Sequence, residues 1–116
     1  MAKHRPYICG IDAAMDVVGG KWKGLILWAL HEGRRRTGEL RRELPGVSEK
    51  MLIQQLRELE ADGIVHREVY REVPPRVEYS LTERGVELND ALSPLSAWGQ
   101  RHMPTIHAQR EVTSRA

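Results

Sequence analysis

Hydrophobic side chains recur with a helical period over most of the chain, in segments separated by short turns. Residues 11–18 are predicted to form a short helix that ends at Gly19 and Gly20. The next segment, KWKGLILWALHEG at residues 21–33, is apolar on nearly every side. A helix that is apolar all round is normally buried, so this one is predicted to be central and to stop at Gly33.

Two further helices are predicted on either side of a very short connection. Thr37 is the expected N-cap of TGELRREL, and Ser48 is the expected N-cap of SEKMLIQQLRELEAD, which Gly63 closes. Only residues 45–47 separate the two helices. Helices joined so tightly must cross at a steep angle, which predicts a helix-turn-helix.

The second helix of this pair has an apolar face and a polar face. Its core stripe consists of Leu52, Leu56 and Leu59, at i, i+4 and i+7. With about 100° of turn per residue, the opposite face carries Lys50, Gln54 and Arg57, bordered by Met51 and Glu58, and Gln55 lies beside the apolar stripe.

After Gly63 the period becomes that of a β-strand. The runs IVHREVY and RVEYSL are rich in valine, isoleucine and tyrosine, and they flank the pair Pro74-Pro75. This pattern predicts a β-hairpin. Because proline donates no backbone hydrogen bond, the ladder should end at a stiff tip, and Arg71 and Arg76 lie at that tip.

Thr82 is the expected N-cap of a final helix, which Ser93-Pro94 either kinks or divides. The apolar residues of this helix are Leu88, Leu92 and Leu95, with Trp98 just beyond. So small a domain cannot cover this stripe, so we expect it to form a two-fold dimer together with the N-terminal helix. We assign residues 1–106 to one domain with dimerisation helices at both ends and residues 107–116 to a flexible tail.

Composition narrows the class of protein without naming a function. A length of 116 residues suits one domain, and a net charge of +2 does not by itself indicate nucleic acid. The segment RRRTGELRR, residues 34–42, holds five arginines and could attract phosphate. A single cysteine, no apolar run of roughly 18 residues and no signal-peptide core predict a cytoplasmic protein that does not enter a membrane.

These elements together predict a mainly α protein with a small β-hairpin, the winged helix-turn-helix. The second helix of the pair should enter the major groove of double-stranded DNA, where an amide such as Gln54 pairs with adenine and a guanidinium such as Arg57 with guanine. The wing arginines should neutralise phosphates. The predicted DNA-binding residues are Ser48, Lys50, Met51, Gln54, Gln55, Arg57, Arg71 and Arg76.

The sequence indicates no enzyme, no cofactor and no metal site. Its histidines, at positions 4, 31, 66, 102 and 107, are scattered, and no cysteine–histidine cluster has zinc spacing. Gly19-Gly20-Lys21 lacks the strand and spacing of a phosphate-binding loop. The alternative to a DNA-binding regulator is a winged-helix module that binds protein and shows no salt-sensitive affinity for DNA.

Several motifs resemble those of the HxlR-type family of bacterial winged-helix transcription regulators. They are Cys9, GGKW at 19–22, GEL at 38–40, LPGVSEKMLIQQLRELEADGIVHREVY at 44–70, VPPRVEYSLTERG at 73–85 and Trp98-Gly99. The resemblance implies a DNA-binding homodimer whose terminal helices form the interface. Gly10 stands where the family often has proline, and Thr37 where it usually has phenylalanine.

The role of Cys9 has two possible interpretations, a reactive thiol or an inert, packed one. Some members of the family that the chain resembles sense electrophiles or oxidants through a cysteine at this place. Lys3, His4, Arg5 and a helix that starts just after Cys9 would favour the thiolate, whereas a cysteine packed at a dimer interface would be inert. We expect a dimer on a pseudo-palindromic operator, with an electrophile or oxidant as candidate effector. The sequence leaves open the operator, the genes, the effector's identity and the direction of regulation.

Overall fold

A computed structural model describes residues 5–115 of the chain, and within them it places five helices and one two-stranded sheet. The helices are α1 (Gly10–Val18), α2 (Lys23–Leu30), α3 (Thr37–Glu43), α4 (Glu49–Ala61) and α5 (Glu83–Arg115), and the strands are β1 (Val65–Tyr70) and β2 (Arg76–Leu81). The order of elements confirms the predicted winged helix-turn-helix.

The core lies where α2, α3, α4 and the hairpin meet. Its buried residues include Ile26, Leu27, Leu40, Leu52, Leu56, Leu59, Val65 and Tyr79. The prediction that α2 is buried on all sides is wrong at two positions. Leu25 and Trp28 are exposed, Trp28 to 54%, because neither α1 nor α5 covers that side of α2.

Side-chain and glycine caps fix the ends of the helices. Ser48 Oγ accepts a hydrogen bond from the Met51 N–H at 3.0 Å, and Gly63 follows α4 with φ of +74°, as the sequence predicts. The prediction that Thr37 is the N-cap of α3 is wrong. The N-cap is Arg36, whose backbone N–H donates to Glu39 Oε1 at 2.9 Å, so a carboxylate caps this end.

The hairpin is a regular antiparallel pair with an additional bridge that the sequence pattern did not predict. Val65 pairs with Leu81 at its base, and Tyr70 pairs with Arg76 at its outer end. Arg35 bridges Tyr79 through two backbone hydrogen bonds of 3.0 and 2.8 Å. The segment before α3 is therefore joined to β2 on the inner side of the wing.

Helix α5 is a single element of 33 residues that includes Pro94 and Pro104. It continues through residues 107–115, which the sequence analysis places in a flexible tail; no glycine or proline interrupts that stretch. The division of the chain at residue 106 stays a prediction. Across residues 5–115, none of the helices combines the length and the hydropathy needed to cross a bilayer.

The first turn of α5 approaches the chain between α4 and β1 very closely. Thr82 Oγ1 accepts from the Gly85 N–H at 3.0 Å, which confirms the predicted cap, and also donates to the Gly63 carbonyl at 2.6 Å. A Cβ atom on Gly85 would lie 2.1 Å from the carbonyl oxygen of Ile64. Only glycine allows α5 to start at this position.

Candidate nucleic-acid interface

The core stripe of α4 determines which of its side chains face solvent. Leu52, Leu56 and Leu59 are all buried, which confirms the predicted apolar face. The residues predicted for the opposite face, Lys50, Gln54 and Arg57, are exposed together with Met51, while Gln55 and Glu58 are partly buried. The orientation of α4 thus places the predicted contact residues on the outer side of the helix-turn-helix.

The two cations on this outer face have no anionic partner within residues 5–115. Neither Lys50 nor Arg57 forms an ion pair or a side-chain hydrogen bond there, although Glu58 and Glu60 flank Arg57 in sequence. Their positive charges are therefore free to act on an external ligand. Gln55 is less free, since its Nε2 lies 3.6 Å from Met51 Sδ.

Gln54 is held by a network that the sequence pattern did not predict. Its Nε2 donates to Glu58 Oε2 at 2.9 Å, one turn along α4. The other oxygen of Glu58 accepts from Lys23 Nζ of α2, also at 2.9 Å. The hydrogen bond from Lys23, then that from Gln54, lowers the pKa of Glu58 below its ordinary value, so this carboxylate stays ionised at neutral pH.

The two arginines at the tip of the wing have different environments. Arg71 is exposed and has no partner within residues 5–115. Arg76 stacks over the ring of Tyr70 at 4.0 Å and forms ion pairs with Glu72 at 3.1 Å and Glu78 at 3.9 Å. The prediction treats the two residues as equivalent phosphate contacts, but the charge of Arg76 is already balanced inside the hairpin.

Arg34, which lies just before α3, also contacts the wing. Arg34 Nη1 donates to the Tyr70 hydroxyl at 2.6 Å. Tyr70 thus has a guanidinium on its ring face and another on its hydroxyl, which fixes the end of β1. Arg35 is paired in turn with Glu43 at 3.4 Å and with Glu32 at 3.8 Å.

The remaining arginines of the segment 34–42 are exposed, and two of them lie beside the wing. Arg36, Arg41 and Arg42 are all exposed. A shallow cleft of about 360 Å³ between the start of α3 and the wing is lined by Arg36, Arg42, Pro75 and Val77, among others. The run of arginines at residues 34–42 indicated a basic surface in the sequence. Its position next to the wing tip is visible only in the structure.

An open apolar groove lies between α1, α2 and α5. Its volume is about 700 Å³, and its apolar lining comes from Met15, Val18, Leu25, Trp28, Leu92 and Leu95. Trp98, one turn beyond Leu95, is 50% exposed. Of the predicted dimerisation stripe, Leu88 and Leu92 pack against the domain's own core, so Leu95 and Trp98 are the members left uncovered.

Cys9 is exposed and is the N-cap residue of α1. Its carbonyl accepts the first helical hydrogen bond, from the Ala13 N–H at 3.2 Å. The nearby Arg5 is not directed to the thiol, because both its terminal nitrogens bind the carboxylate of Asp12, at 2.6 and 2.8 Å. Lys3 and His4, which the sequence analysis places near Cys9, lie outside the described residues.

A helix-turn-helix with an exposed polar face on its second helix, followed by a β-hairpin wing, is typical of winged-helix regulators. The sequence model of the HxlR-like helix-turn-helix family matches residues 17–107. The HTH-type transcriptional regulator YtcD of Bacillus subtilis is 48% identical over 103 residues, covering 89% of this chain and 82% of YtcD. The chain therefore belongs to the HxlR-like helix-turn-helix family of transcription regulators.

Solved structures of another regulator are also similar. The redox regulator HypR in its reduced form matches with a TM-score of 0.81 and 46% identity, covering 86% of this chain and 99% of that one. HypR in its oxidised form matches with a TM-score of 0.76 and 50% identity, covering 80% and 96%.

Proposed function

We propose that this protein regulates transcription by binding a pseudo-palindromic operator in double-stranded DNA as a homodimer in the cytoplasm, with no enzymatic activity. The observation that carries the proposal is the outer face of α4, where Lys50, Gln54 and Arg57 are exposed opposite a fully buried leucine stripe. An exposed helix of this composition fits the major groove, which is about 12 Å wide.

The proposed roles follow from the chemistry of each side chain. Gln54 reads adenine, Arg57 reads guanine, and Lys50 contacts guanine or phosphate. Ser48, at the start of α4, donates its hydroxyl hydrogen to a phosphate, while Met51 and Gln55 contact the groove beside these residues. Arg71 neutralises a backbone phosphate from the wing, and the exposed arginines of α3 extend the basic surface.

Binding to DNA can be separated from the alternative, a protein-interaction module, by a direct measurement. Duplexes enriched by the protein from a random-sequence pool should bind more tightly than unselected duplexes. Fluorescence anisotropy at several salt concentrations should show affinity falling as salt rises, because bound phosphates release counterions. Binding that is insensitive to salt, or a pool that shows no enrichment, would favour the protein-interaction module.

We expect the two wing arginines to differ, with Arg71 contacting DNA and Arg76 supporting the wing. Arg71→Ala should weaken binding to selected and random duplexes alike and should reduce the slope of log affinity against log salt by about 0.9. Arg76→Ala should change the slope less, because Glu72 and Glu78 already balance its charge. Anisotropy titrations at four or more salt concentrations measure both slopes. If Arg71→Ala leaves the slope unchanged, the wing tip does not touch the backbone.

Dimerisation through the apolar groove is part of the same proposal. A two-fold axis through this face would bring Leu95 and Trp98 of each copy against the groove of the other, in a self-complementary contact. The two copies of α4 would then face half-sites separated by about one helical turn of DNA, roughly 34–36 Å, or a multiple of it. The pseudo-palindrome in the operator follows from this symmetry.

We further propose that Cys9 senses electrophiles or oxidants. The supporting observations are its exposed position at the start of α1 and the chain's similarity to HypR, a redox regulator solved in reduced and oxidised forms. A thiolate that adds to a quinone forms a carbon–sulfur bond, and the ring oxygen takes up a proton. Because Cys9 is the sole cysteine, a disulfide at this residue links either two copies of the chain or one chain to a small thiol.

A quinone is expected to release the wild-type protein from a selected duplex and to leave Cys9→Ser bound. The adduct adds bulk beside α1, at the proposed dimer face, and so disturbs the spacing of the two α4 helices. Quinone is preferable to hypochlorite because Met51 is exposed on α4, and its oxidation would weaken DNA binding in both proteins. Release of wild type and Cys9→Ser at the same quinone dose would assign the regulation to another group.

A further inference from the structure

We propose that Lys23, a residue of α2 that does not face the DNA, sets the base preference of α4 by positioning Gln54 through Glu58. The three side chains form a chain of two hydrogen bonds, each 2.9 Å long, from the central helix to the outer face of α4. This inference rests on the proposed DNA-binding function and identifies a specificity-determining residue for it.

The geometry makes Lys23 the fixed end of this chain. Its side chain is only 10% exposed, so its ammonium group has little freedom and is held near Glu58 by the packing of α2. Glu58 is more exposed, at 43%, and without Lys23 it could turn to other rotamers. The ion pair also neutralises a carboxylate that would otherwise stand, as an unpaired negative charge, beside the phosphates of bound DNA.

The chemistry of the carboxylate determines which way the Gln54 amide faces. An ionised carboxylate only accepts hydrogen bonds, so the amide must direct its nitrogen and not its oxygen towards Glu58. One N–H of Gln54 is used in this way. The carbonyl oxygen and the second N–H of Gln54 remain available to an external partner, and the orientation of the amide fixes their relative positions.

That remaining acceptor–donor pair matches one base. Adenine offers N6–H as a donor and N7 as an acceptor in the major groove, and a side-chain amide pairs with both at once. A free amide must lose rotational freedom to make this contact, whereas the amide of Gln54 is already oriented before binding. Lys23 and Glu58 are therefore positioning residues, and Gln54 is the residue that touches the base.

The test compares Lys23→Met with a control, Arg110→Met, which also removes one positive charge, but from an exposed side chain near the far end of α5. The probes are a duplex selected from a random pool by the wild-type protein and an unselected duplex. Lys23→Met should lose about tenfold on the selected duplex and less than about twofold on the unselected one. Combining it with Gln54→Ala should add little to the loss from Gln54→Ala alone.

A second readout does not depend on DNA. The side-chain amide signals of Gln54 in NMR spectra of the free protein, identified by their absence in Gln54→Ala, should shift in Lys23→Met and stay in place in Arg110→Met. Lys23→Arg should restore both the signals and the base preference. If Lys23→Met fails to fold, Lys23→Met with Glu58→Met removes both charges together and should give the same loss of preference.

The outcomes separate this inference from the proposed function. Unchanged Gln54 amide signals in Lys23→Met, or equal losses on the selected and unselected duplexes, would overturn the positioning role. A wild-type protein that selects no sequence would overturn the proposed function, and the NMR comparison would still decide whether Lys23 orients Gln54.

Discussion

Replacing Leu95 and Trp98 together by glutamate is expected to make the protein a monomer and to lower its affinity for a selected duplex by about 100-fold or more. Both side chains are exposed beside the apolar groove between α1, α2 and α5. Two acids at this place would have to be desolvated against apolar surface if the two copies met there. A monomer binds one half-site at a time, so it loses the gain that comes from joining two binding events.

Light scattering and sedimentation measure the first effect, and anisotropy on the selected duplex measures the second. Val86→Glu is a suitable control, because it places an acid at an exposed apolar position of the same helix but outside the groove. The first turn of a helix also tolerates a negative charge well. A Leu95→Glu/Trp98→Glu protein that stays dimeric would show that the interface uses another face.

Gly85→Ala should destabilise the protein by at least about 2 kcal/mol. A Cβ atom there would lie 2.1 Å from the Ile64 carbonyl oxygen, far inside the contact distance, and the obstacle is backbone and not the end of a flexible side chain. Relief requires the start of α5 to move away from the turn between α4 and β1. That movement would disturb the Thr82 cap, which donates to the carbonyl groups of Gly63 and Ile64.

The matched substitution is Gly38→Ala. Gly38 is also helical, but a Cβ atom there would meet nothing within 4 Å. Alanine is the better helix former by roughly 0.8–1.0 kcal/mol, so Gly38→Ala should stabilise the protein or leave it unchanged. Urea unfolding of both variants gives the comparison, and equal free energies of unfolding would contradict the proposed clash.

The elements of this fold could be predicted from the sequence because they depend on local signals. The leucine stripe of α4, the Ser48 and Thr82 caps and the glycine after α4 each act within a few residues. The prediction that α2 is buried on all sides was wrong at positions where burial depends on distant parts of the chain. Trp28 belongs to an apolar run, and whether such a residue is buried depends on which distant helices cover it.

Local sequence signals also predicted part of the candidate site and missed the rest. The sequence identified the outer face of α4, since a helical wheel fixes which residues oppose the leucine stripe. It did not predict that Lys23 would reach Glu58 across 35 positions, or that Arg76 would lie over Tyr70. Long-range pairs of this kind depend on how helices and strands pack, and no periodicity records them. The contact roles of the individual residues stay predictions.

The length of α5 has a mechanical consequence. Its 33 residues make a rod of about 50 Å, anchored in the domain core by Leu88 and Leu92 near one end. A rotation of about 5° at the anchor displaces the far end by about 3 Å, which is about the length of a hydrogen bond. In the proposed dimer the terminal helices would be held at the interface, so the same rotation would move the rest of each copy. A modest rearrangement among the terminal helices would move each copy of α4 far enough to lose its half-site, so release from DNA would require no large refolding.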